Sequence, residues 1–472
     1  MTGPRHRQAG PAGTSWSGRR VLVLGAGVSG LAAIRSLVNA GAIVEVADER
    51  TGLLPEDLAE LAIAGGSSVR EIGMPASLPD VDMIVATPGA TPRHPLLVAA
   101  GRAGVEVIAE PELAWRMRDP DGPAWLVVTG TNGKTTTVGM LASILAAAGL
   151  TSIATGNIGL PLVDVVCGPV VYDVLAVELS SFQLDRSPSI RPLASAVLNL
   201  APDHLDWHGS LAAYSRAKKL VFDKSGIAVF NRDDPGSSRL ADGHPRPIGF
   251  TLGPPPQGCL GVADGLLLDR AFGADVELAR VTDVSIPGAH NVANALAAAA
   301  LARSIDVAAP AVAQGVAAYR AGPHRNTLIS TLDGVAYVDD SKATNPHAAK
   351  ASLSAYSDVV WIAGGLLKGA DVDDLVVAIS HRLRAVVLMG ADRGVIGHAL
   401  SRHAPHVPVV EVATNDDGAM VEVVRAAAAA ARPGSTVLLA PAAASMDMFV
   451  NYVARAEAFA HAVADLSRGA SG

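Results

Sequence analysis

Seven consecutive residues, Gly130-Thr131-Asn132-Gly133-Lys134-Thr135-Thr136, combine small positions with a lysine and several hydroxyls. A Val-rich apolar run, residues 125–129, precedes them, and a helical pattern to about residue 148 follows. A loop between strand and helix aims backbone N–H groups at phosphate oxygens, and the helix adds the positive end of its dipole. Lys134 has the reach for outer phosphates, and the Thr135 hydroxyl suits Mg²⁺. The run departs from the G-x-x-x-x-G-K-[ST] pattern, which wants glycine where Val128 stands. A chance Gly-Lys-Thr turn is the plain alternative, and the strand–loop–helix setting argues against it.

A second Gly-rich turn, Gly25-Ala-Gly27-Val28-Ser29-Gly30, follows the apolar run 21–24, and Asp48 ends the next one. Alone, this pattern reads as a dinucleotide site, with pyrophosphate on the helix N-terminus and ribose on Asp48. Any nucleotide diphosphate can use the same geometry, and so can a tight turn with no ligand. A nucleotide-linked substrate here and ATP at Lys134 would give both turns a use, whereas an NAD-dependent oxidoreductase would leave Lys134 idle. Further polar residues stand where apolar runs end: Glu178, Asn199, then Asp203-His204. In open parallel sheets ligands sit beyond the carboxyl ends of strands, where a Glu can hold Mg²⁺ against phosphates. His204 could be a second metal ligand or a surface residue. Lys218 and Lys219, after Tyr214, read by themselves as a solvated helix face. Late in the chain come Arg325, the run Asp339-Asp340-Ser341-Lys342-Ala343-Thr344-Asn345, Lys368 and Ser445. Arg325 could stabilise charge developing on a γ-phosphate, and Lys368 and Ser445 suit a carboxylate. Each of them alone is more often a plain loop residue.

Short Val/Ile/Leu runs alternate with longer helical patterns along nearly the whole chain, which predicts α/β architecture with parallel sheets covered by helices. At roughly 100–200 residues per domain, 472 residues suggest three domains. The boundaries fall at 19–119, 120–321 and 322–472, after a Gly/Pro/Arg-rich tail, 1–18, expected to be disordered. An irregular Gly-rich stretch, 254–281, suggests a small antiparallel excursion. With 4% aromatic residues, the cores must be built from Val, Leu, Ile and Ala. The net charge of -8 and the lack of a basic stripe argue against nucleic acid. Cys167 and Cys259 form neither a disulfide framework nor a metal cluster, which fits a reducing compartment. The tail lacks the apolar core of a signal peptide, and no apolar run reaches the ~18 residues of a membrane span. A cytoplasmic protein without membrane insertion is expected.

Taken in order, Gly130-Thr-Asn-Gly-Lys-Thr-Thr136, Glu178-Leu-Ser-Ser, Asp203-His204, Tyr214-x-x-x-Lys218, His290-Asn291, Pro323-His-Arg325 and Asp340-Ser-Lys-Ala-Thr-Asn345 resemble the motifs of the Mur ligases. The resemblance covers all but the tail. In detail the chain is most similar to the D-glutamate-adding branch, through Thr155-Gly-Asn157-Ile-Gly-Leu-Pro161, Glu178 to Leu184, and Ser445-Met-Asp-Met-Phe449. The Asp-Asn-Pro-Arg signature of the diaminopimelate-adding branch is absent. The resemblance implies three domains: a Rossmann-like one for the UDP part, a central P-loop-type ATPase with a mainly parallel sheet, and a C-terminal Rossmann-like one for the amino acid. It implies ATP-dependent amide-bond formation between D-glutamate and UDP-N-acetylmuramoyl-L-alanine, by a monomer, in peptidoglycan precursor synthesis. A Mur or folylpolyglutamate-type ligase with another acceptor is the nearest alternative, and a non-catalytic ATP-binding regulator a more distant one. Carried over residue by residue, Gly130 to Thr136, Asn291, Arg325, Asp340 and Lys342 contact ATP, and Lys134, His204, Lys218 and Arg325 are catalytic. Thr135, Glu178, His204 and, if carbamoylated, Lys218 hold Mg²⁺. Val28, Ser29, Asp48, Glu49, Arg50, Gly89 and Asn157 contact the UDP substrate. Thr344, Lys368, Ser445 and Tyr452 surround D-glutamate, with Tyr452 standing where the family pattern has Phe.

Overall fold

A computed structural model describes residues 15–55, 58, 62, 67–322, 324–414 and 418–469. Most of the expected tail, residues 1–14, lies outside them. Residues 16–18 correct that expectation. Trp16 is 7% exposed because its indole packs into the first core, and the Gly18 N–H donates to the Gly41 carbonyl at 2.9 Å.

The alternation of apolar runs and helices folds into three sheets. The first is β1 (Arg20–Leu24), β2 (Ile43–Ala47), β3 (Ser68–Glu71), β4 (Met83–Ala86) and β5 (Glu106–Ile108), in the order β3-β2-β1-β4-β5 and parallel throughout. Strands β1 and β4 are buried on both faces, as helix-covered parallel strands must be. The order reverses at β1, so the crevice beyond β1 and β4 is the topological switch point, where such sheets take ligands.

The second sheet holds β6 (Ala124–Thr129), β7 (Ser152–Gly156), β8 (Val174–Glu178), β9 (Ala194–Val197), β10 (Ala228–Asn231), β11 (Pro247–Phe250), β12 (Cys259–Ala263), β13 (Leu266–Asp269) and β14 (Val276–Arg280). Its order is β14-β13-β12-β11-β10-β9-β6-β8-β7. Pairing is parallel from β7 to β12 and antiparallel through β13 and β14, which is the excursion expected in 254–281. Strand β6 lies between β8 and β9, so the loop after it opens at a second switch point.

The third sheet holds β15 (Thr327–Leu332), β16 (Val335–Asp339), β17 (Val359–Gly364), β18 (Leu383–Met389), β19 (Val409–Glu411) and β20 (Thr436–Leu439), ordered β15-β16-β20-β17-β18-β19. Only β15 is antiparallel. Two apolar layers cover its faces, one around Trp361 and Ile396, the other around Val437 and Phe459.

By contacts the chain forms two compact units. One comprises Met1–Leu200, Trp207–Asp283 and Ala293–Tyr319, with the first two sheets; the other comprises Ala201–Asp206, Val284–Val292 and Arg320–Gly472, with the third. Both cysteines are free thiols. Among the described residues, no helix is long and apolar enough to cross a membrane.

Candidate active site

In the first unit, the Gly130–Gly133 loop leaves β6 with two glycines in conformations that other residues resist, φ +152° at Gly130 and +84° at Gly133. A Cβ on Gly133 would stand 2.4 Å from the Asn294 amide oxygen. The loop is clamped from β9. Thr131 N–H donates to the Asn199 carbonyl (3.1 Å), Asn132 N–H donates to the Asn199 side-chain oxygen (2.8 Å), and the Asn199 amide donates back to the Asn132 carbonyl (3.1 Å). The helix Lys134–Ala147 then begins with its amide end at the loop. Lys134 Nζ donates to the Gly130 and Thr131 carbonyls at 2.8 and 2.9 Å.

At the end of β8, Glu178 is 2% exposed. One of its oxygens accepts the Thr135 hydroxyl at 2.7 Å, and the other accepts the Asn157 amide at 2.9 Å. A hydroxyl and a carboxylate beside a phosphate-type loop form the oxygen donor set that Mg²⁺ favours when phosphates supply its other ligands. Among the described residues, no three His, Cys, Asp or Glu side chains gather into a metal cage. Opposite Glu178, on the helix Leu211–Asp223, Tyr214 shares a hydrogen bond with the Thr131 hydroxyl at 3.1 Å. Lys218 is 1% exposed, with Nζ 2.9 Å from the Gly130 carbonyl and 4.6 Å from the Tyr214 ring centre. Lys219 is exposed. The two adjacent lysines thus part: one faces the loop and the other faces water.

At the first sheet's switch point, Gly25 has φ +98° and Gly30 leaves no room for a side chain, since a Cβ there would lie 1.9 Å from the Gly25 carbonyl oxygen. Val28 is 74% exposed, Ser29 lines a cleft with Pro88 and Gln183, and Glu49 and Gly89 face solvent. Asp48 serves the turn itself. Its carboxylate accepts Ala26 N–H at 2.8 Å and the Arg50 side chain at 3.1 Å, and those Arg50 bonds hold it well below the usual carboxylate range.

In the second unit, three neighbouring strands end in the expected residues: β16 runs into Asp340 to Asn345, β17 into Gly364 to Lys368, and β20 into Ala440 to Ser445. Leu366 and Ala444 exchange backbone hydrogen bonds of 2.8 and 2.9 Å, which ties two of these loops together. Ser445 is 4% exposed, Lys368 is exposed at φ +54°, and Thr344 is half-buried. Burial pushes the Asp340 carboxyl up to about 6, against a Ser352 hydrogen bond and the charge of Arg325, which lies close enough to act on it. The Lys342 ammonium sits 3.9 Å from the Tyr452 ring centre. Asn291 anchors its own turn through its amide to the Pro287 carbonyl at 2.8 Å. His204, at φ +53°, donates its backbone N–H to Asp203 at 2.9 Å.

Three residues go beyond the expected set. Asn199 clamps the phosphate-type loop, and its position at a strand end marked it without showing that role. Tyr214 served only as a spacing marker for Lys218. Arg455, on the helix Tyr452–Gly469, is 1% exposed and donates to Ser341 Oγ (3.0 Å), Ser341 O (2.9 Å) and Ala443 O (3.1 Å). Its signal was a lone arginine on an apolar helix face.

The chain matches three family descriptions in succession: "Mur ligase MurD-like, N-terminal domain" over residues 19–109, "Mur ligase middle domain" over 128–302 and "Mur ligase, glutamate ligase domain" over 324–443. It is 54% identical to the UDP-N-acetylmuramoylalanine--D-glutamate ligase of Thermobifida fusca, covering 95% of this chain and 99% of that one. It is 47% identical to the protein of the same name from Mycolicibacterium smegmatis, covering 94% and 96%. Among solved structures, the fold resembles UDP-N-acetylmuramate-alanine ligase of Thermotoga maritima, with TM-score 0.58, 18% identity, and 95% and 99% covered. It also resembles a pseudomurein peptide ligase type C of Methanothermus fervidus, with TM-score 0.57, 18% identity, and 89% and 96% covered. On these matches, the chain belongs to the Mur ligase family.

Proposed function

We propose that this chain joins D-glutamate to UDP-N-acetylmuramoyl-L-alanine with consumption of ATP, a step of peptidoglycan precursor synthesis. The observation that carries the chemistry is the Thr135–Glu178 hydrogen bond of 2.7 Å beside the Gly130–Gly133 loop. It joins a phosphate-binding turn to a buried carboxylate suited to Mg²⁺. The relatives' names, at about half identity over nearly their full length, support the acceptor.

In this reading the substrate carboxylate attacks the γ-phosphorus of ATP. The bond to ADP breaks and an acyl phosphate forms. The amine of D-glutamate attacks the acyl carbon, phosphate leaves, and the amine loses a proton. Charge spreads over the transferring phosphoryl group, so positioning and electrostatics dominate. Lys134 binds the outer phosphates, and Arg325 stabilises the charge that develops on them. Asn291, Asp340 and Lys342 hold ATP. Thr135 and Glu178 would hold one Mg²⁺, and His204 with a carbamoylated Lys218 a second. Bound there, the ions would offset phosphate charge. A carbamate would make Lys218 an anion, which gives a buried lysine beside the loop a reason to exist. Ser29 and Asn157 meet the UDP part, and Thr344, Lys368, Ser445 and Tyr452 meet D-glutamate. We divide the chain at 19–119, 120–321 and 322–472, and take it to act as a cytoplasmic monomer.

The test is phosphate release from ATP with Mg²⁺ and UDP-N-acetylmuramoyl-L-alanine, adding D-glutamate, L-glutamate, L-lysine or meso-diaminopimelate in turn. Stimulation by D-glutamate alone is expected. Another acceptor would keep the family and overturn the substrate, and no release with any of them would overturn the reading. Lys134→Ala should abolish release with the fold intact. Depleting bicarbonate should lower the rate reversibly if Lys218 is a carbamate.

A further inference from the structure

Strand β5 ends at Ile108, and the chain turns through Ala109 into the helix Glu110–Met117. Glu110 is 3% exposed. One of its oxygens accepts the Val163 N–H at 2.7 Å, at the start of the helix Leu162–Cys167 beside the second sheet. The other is buried and has no hydrogen-bond partner. That helix directly follows the loop carrying Asn157. The loop is closed by the Thr155 hydroxyl on the Leu160 carbonyl (2.7 Å) and pinned to Glu178 through both the backbone and side-chain N–H groups of Asn157, each at 2.9 Å. A residue of the first sheet's module therefore holds the far end of a loop whose near end rests on Glu178. The same seam carries the Ala109 N–H on the Arg186 carbonyl (2.9 Å), the Arg186 guanidinium on the Ala90 carbonyl (2.8 Å) and the Ser189 N–H on Glu112 (3.0 Å). Its cleft is lined by Ser29, Pro88, Glu110, Phe182, Gln183 and Arg186.

We infer that Glu110 is a positioning residue that registers the Gly25–Gly30 turn of the first sheet against the Asn157 loop of the second. It acts on capture of the nucleotide-linked substrate rather than on transfer. This rests on the proposal that Ser29 and Asn157 contact that substrate. The electrostatics of the seam supply a readout. Burial pushes the Glu110 carboxyl up to about 7; the Val163 and Leu162 amides favour its anion and Asp164 opposes it. The neighbouring cations are engaged elsewhere: Arg35 with Asp164 at 3.7 Å, Arg116 with Glu106 and Glu112, and Arg186 with Ala90. An acid whose value rises on docking takes up a proton on docking, so docking weakens as pH climbs through 7. With an undocked value near the ordinary ~4.3, docking falls about tenfold between about pH 6 and pH 8.

The experiment measures kcat and both KM values of the full-length enzyme from about pH 6 to 8, for wild type, Glu110→Gln and Glu110→Ala. Glutamine keeps an acceptor for Val163 and cannot ionise. The ratio of the wild-type to the Glu110→Gln KM for UDP-N-acetylmuramoyl-L-alanine should rise by up to about tenfold over that range, with kcat and the ATP KM nearly unchanged. Glu110→Ala should raise the nucleotide-substrate KM at every pH. A pH-independent ratio, or an alanine effect spread equally over kcat and the ATP KM, overturns the inference. Wild type without D-glutamate-dependent turnover would sink the ligase reading instead. The seam is then judged by ligand-free melting, where wild type should lose stability from about pH 6 to 8 and Glu110→Gln should not; equal slopes there overturn it.

Discussion

Replacing Arg455 with methionine tests whether one buried cation organises the loops at the carboxyl end of the third sheet. The guanidinium joins the helix Tyr452–Gly469 to the loop after β16 through Ser341 and to the loop after β20 through Ala443. Methionine keeps most of the stem volume and removes every donor. Two buried carbonyls and one hydroxyl then lose a partner, at about 1–3 kcal/mol each. Part of that is returned. Burial lowers the Arg455 guanidinium to about 10 from its ordinary 12.5, against the favouring charges of Asp447 and Asp339. Holding the cation there therefore costs about 3 kcal/mol, which the substitution relieves. The balance is a loss of about 3 kcal/mol, in the lower part of the range for breaking a buried charged network. For a unit of about 170 residues that corresponds to a melting point lower by roughly 6–12 °C. Differential scanning calorimetry should show the loss, accompanied by a raised KM for D-glutamate. Arg455→Lys should recover little, because a single ammonium cannot span two loops. A methionine variant that melts within a degree or two of wild type would refute the reasoning, since the network would then contribute nothing net.

Two further predictions concern packing and pH. Gly315, on the helix Ala309–Ala318, sits where a Cβ would lie 2.3 Å from the Ile144 Cα, and its carbonyl accepts the Ser143 hydroxyl at 2.7 Å. Gly315→Ala must push the phosphate-loop helix away, costing about 1–3 kcal/mol; thermal unfolding with and without ATP should show a lower melting point and weaker nucleotide protection. Asp340 carries a folded-state value of about 6, raised by burial. A raised acid leaves full stability below its unfolded value near 4, and that stability is lost as pH rises through 6. Asp340→Asn should therefore melt higher than wild type at about pH 8, by up to about 3 kcal/mol, and lose that advantage near about pH 4, while turnover falls. Equal melting points at about pH 8 would show that the carboxyl bears no net penalty.

Much of this architecture is legible in the sequence itself. Residues 21–24, 125–129 and 359–363 are runs dominated by Val, Leu, Ile and Trp because parallel strands covered on both faces leave no polar side, and all three became central strands. Strands β3, β5 and β15 carry no such signal, for the complementary reason. They are edge strands whose half-exposed faces carry residues such as Arg70, Glu106 and Ser330, without an apolar run. The phosphate-type loop was legible because glycine, lysine and threonine have few other reasons to stand together between a strand and a helix. The clamp at Asn199, the guanidinium of Arg455 and the carboxyl of Glu110 were not legible as such. Each earns its role from partners 67, 114 and 53 positions away, a pairing that no local pattern encodes.

The resting place of Lys134 bears on nucleotide traffic. Its ammonium already holds two carbonyl acceptors of its own loop, at 2.8 and 2.9 Å. The side chain is thereby held beside the loop, so little rotamer freedom is left to lose when it engages a ligand there. On the proposed reading, a phosphate would draw the ammonium from these carbonyls by a stronger, charge-assisted bond.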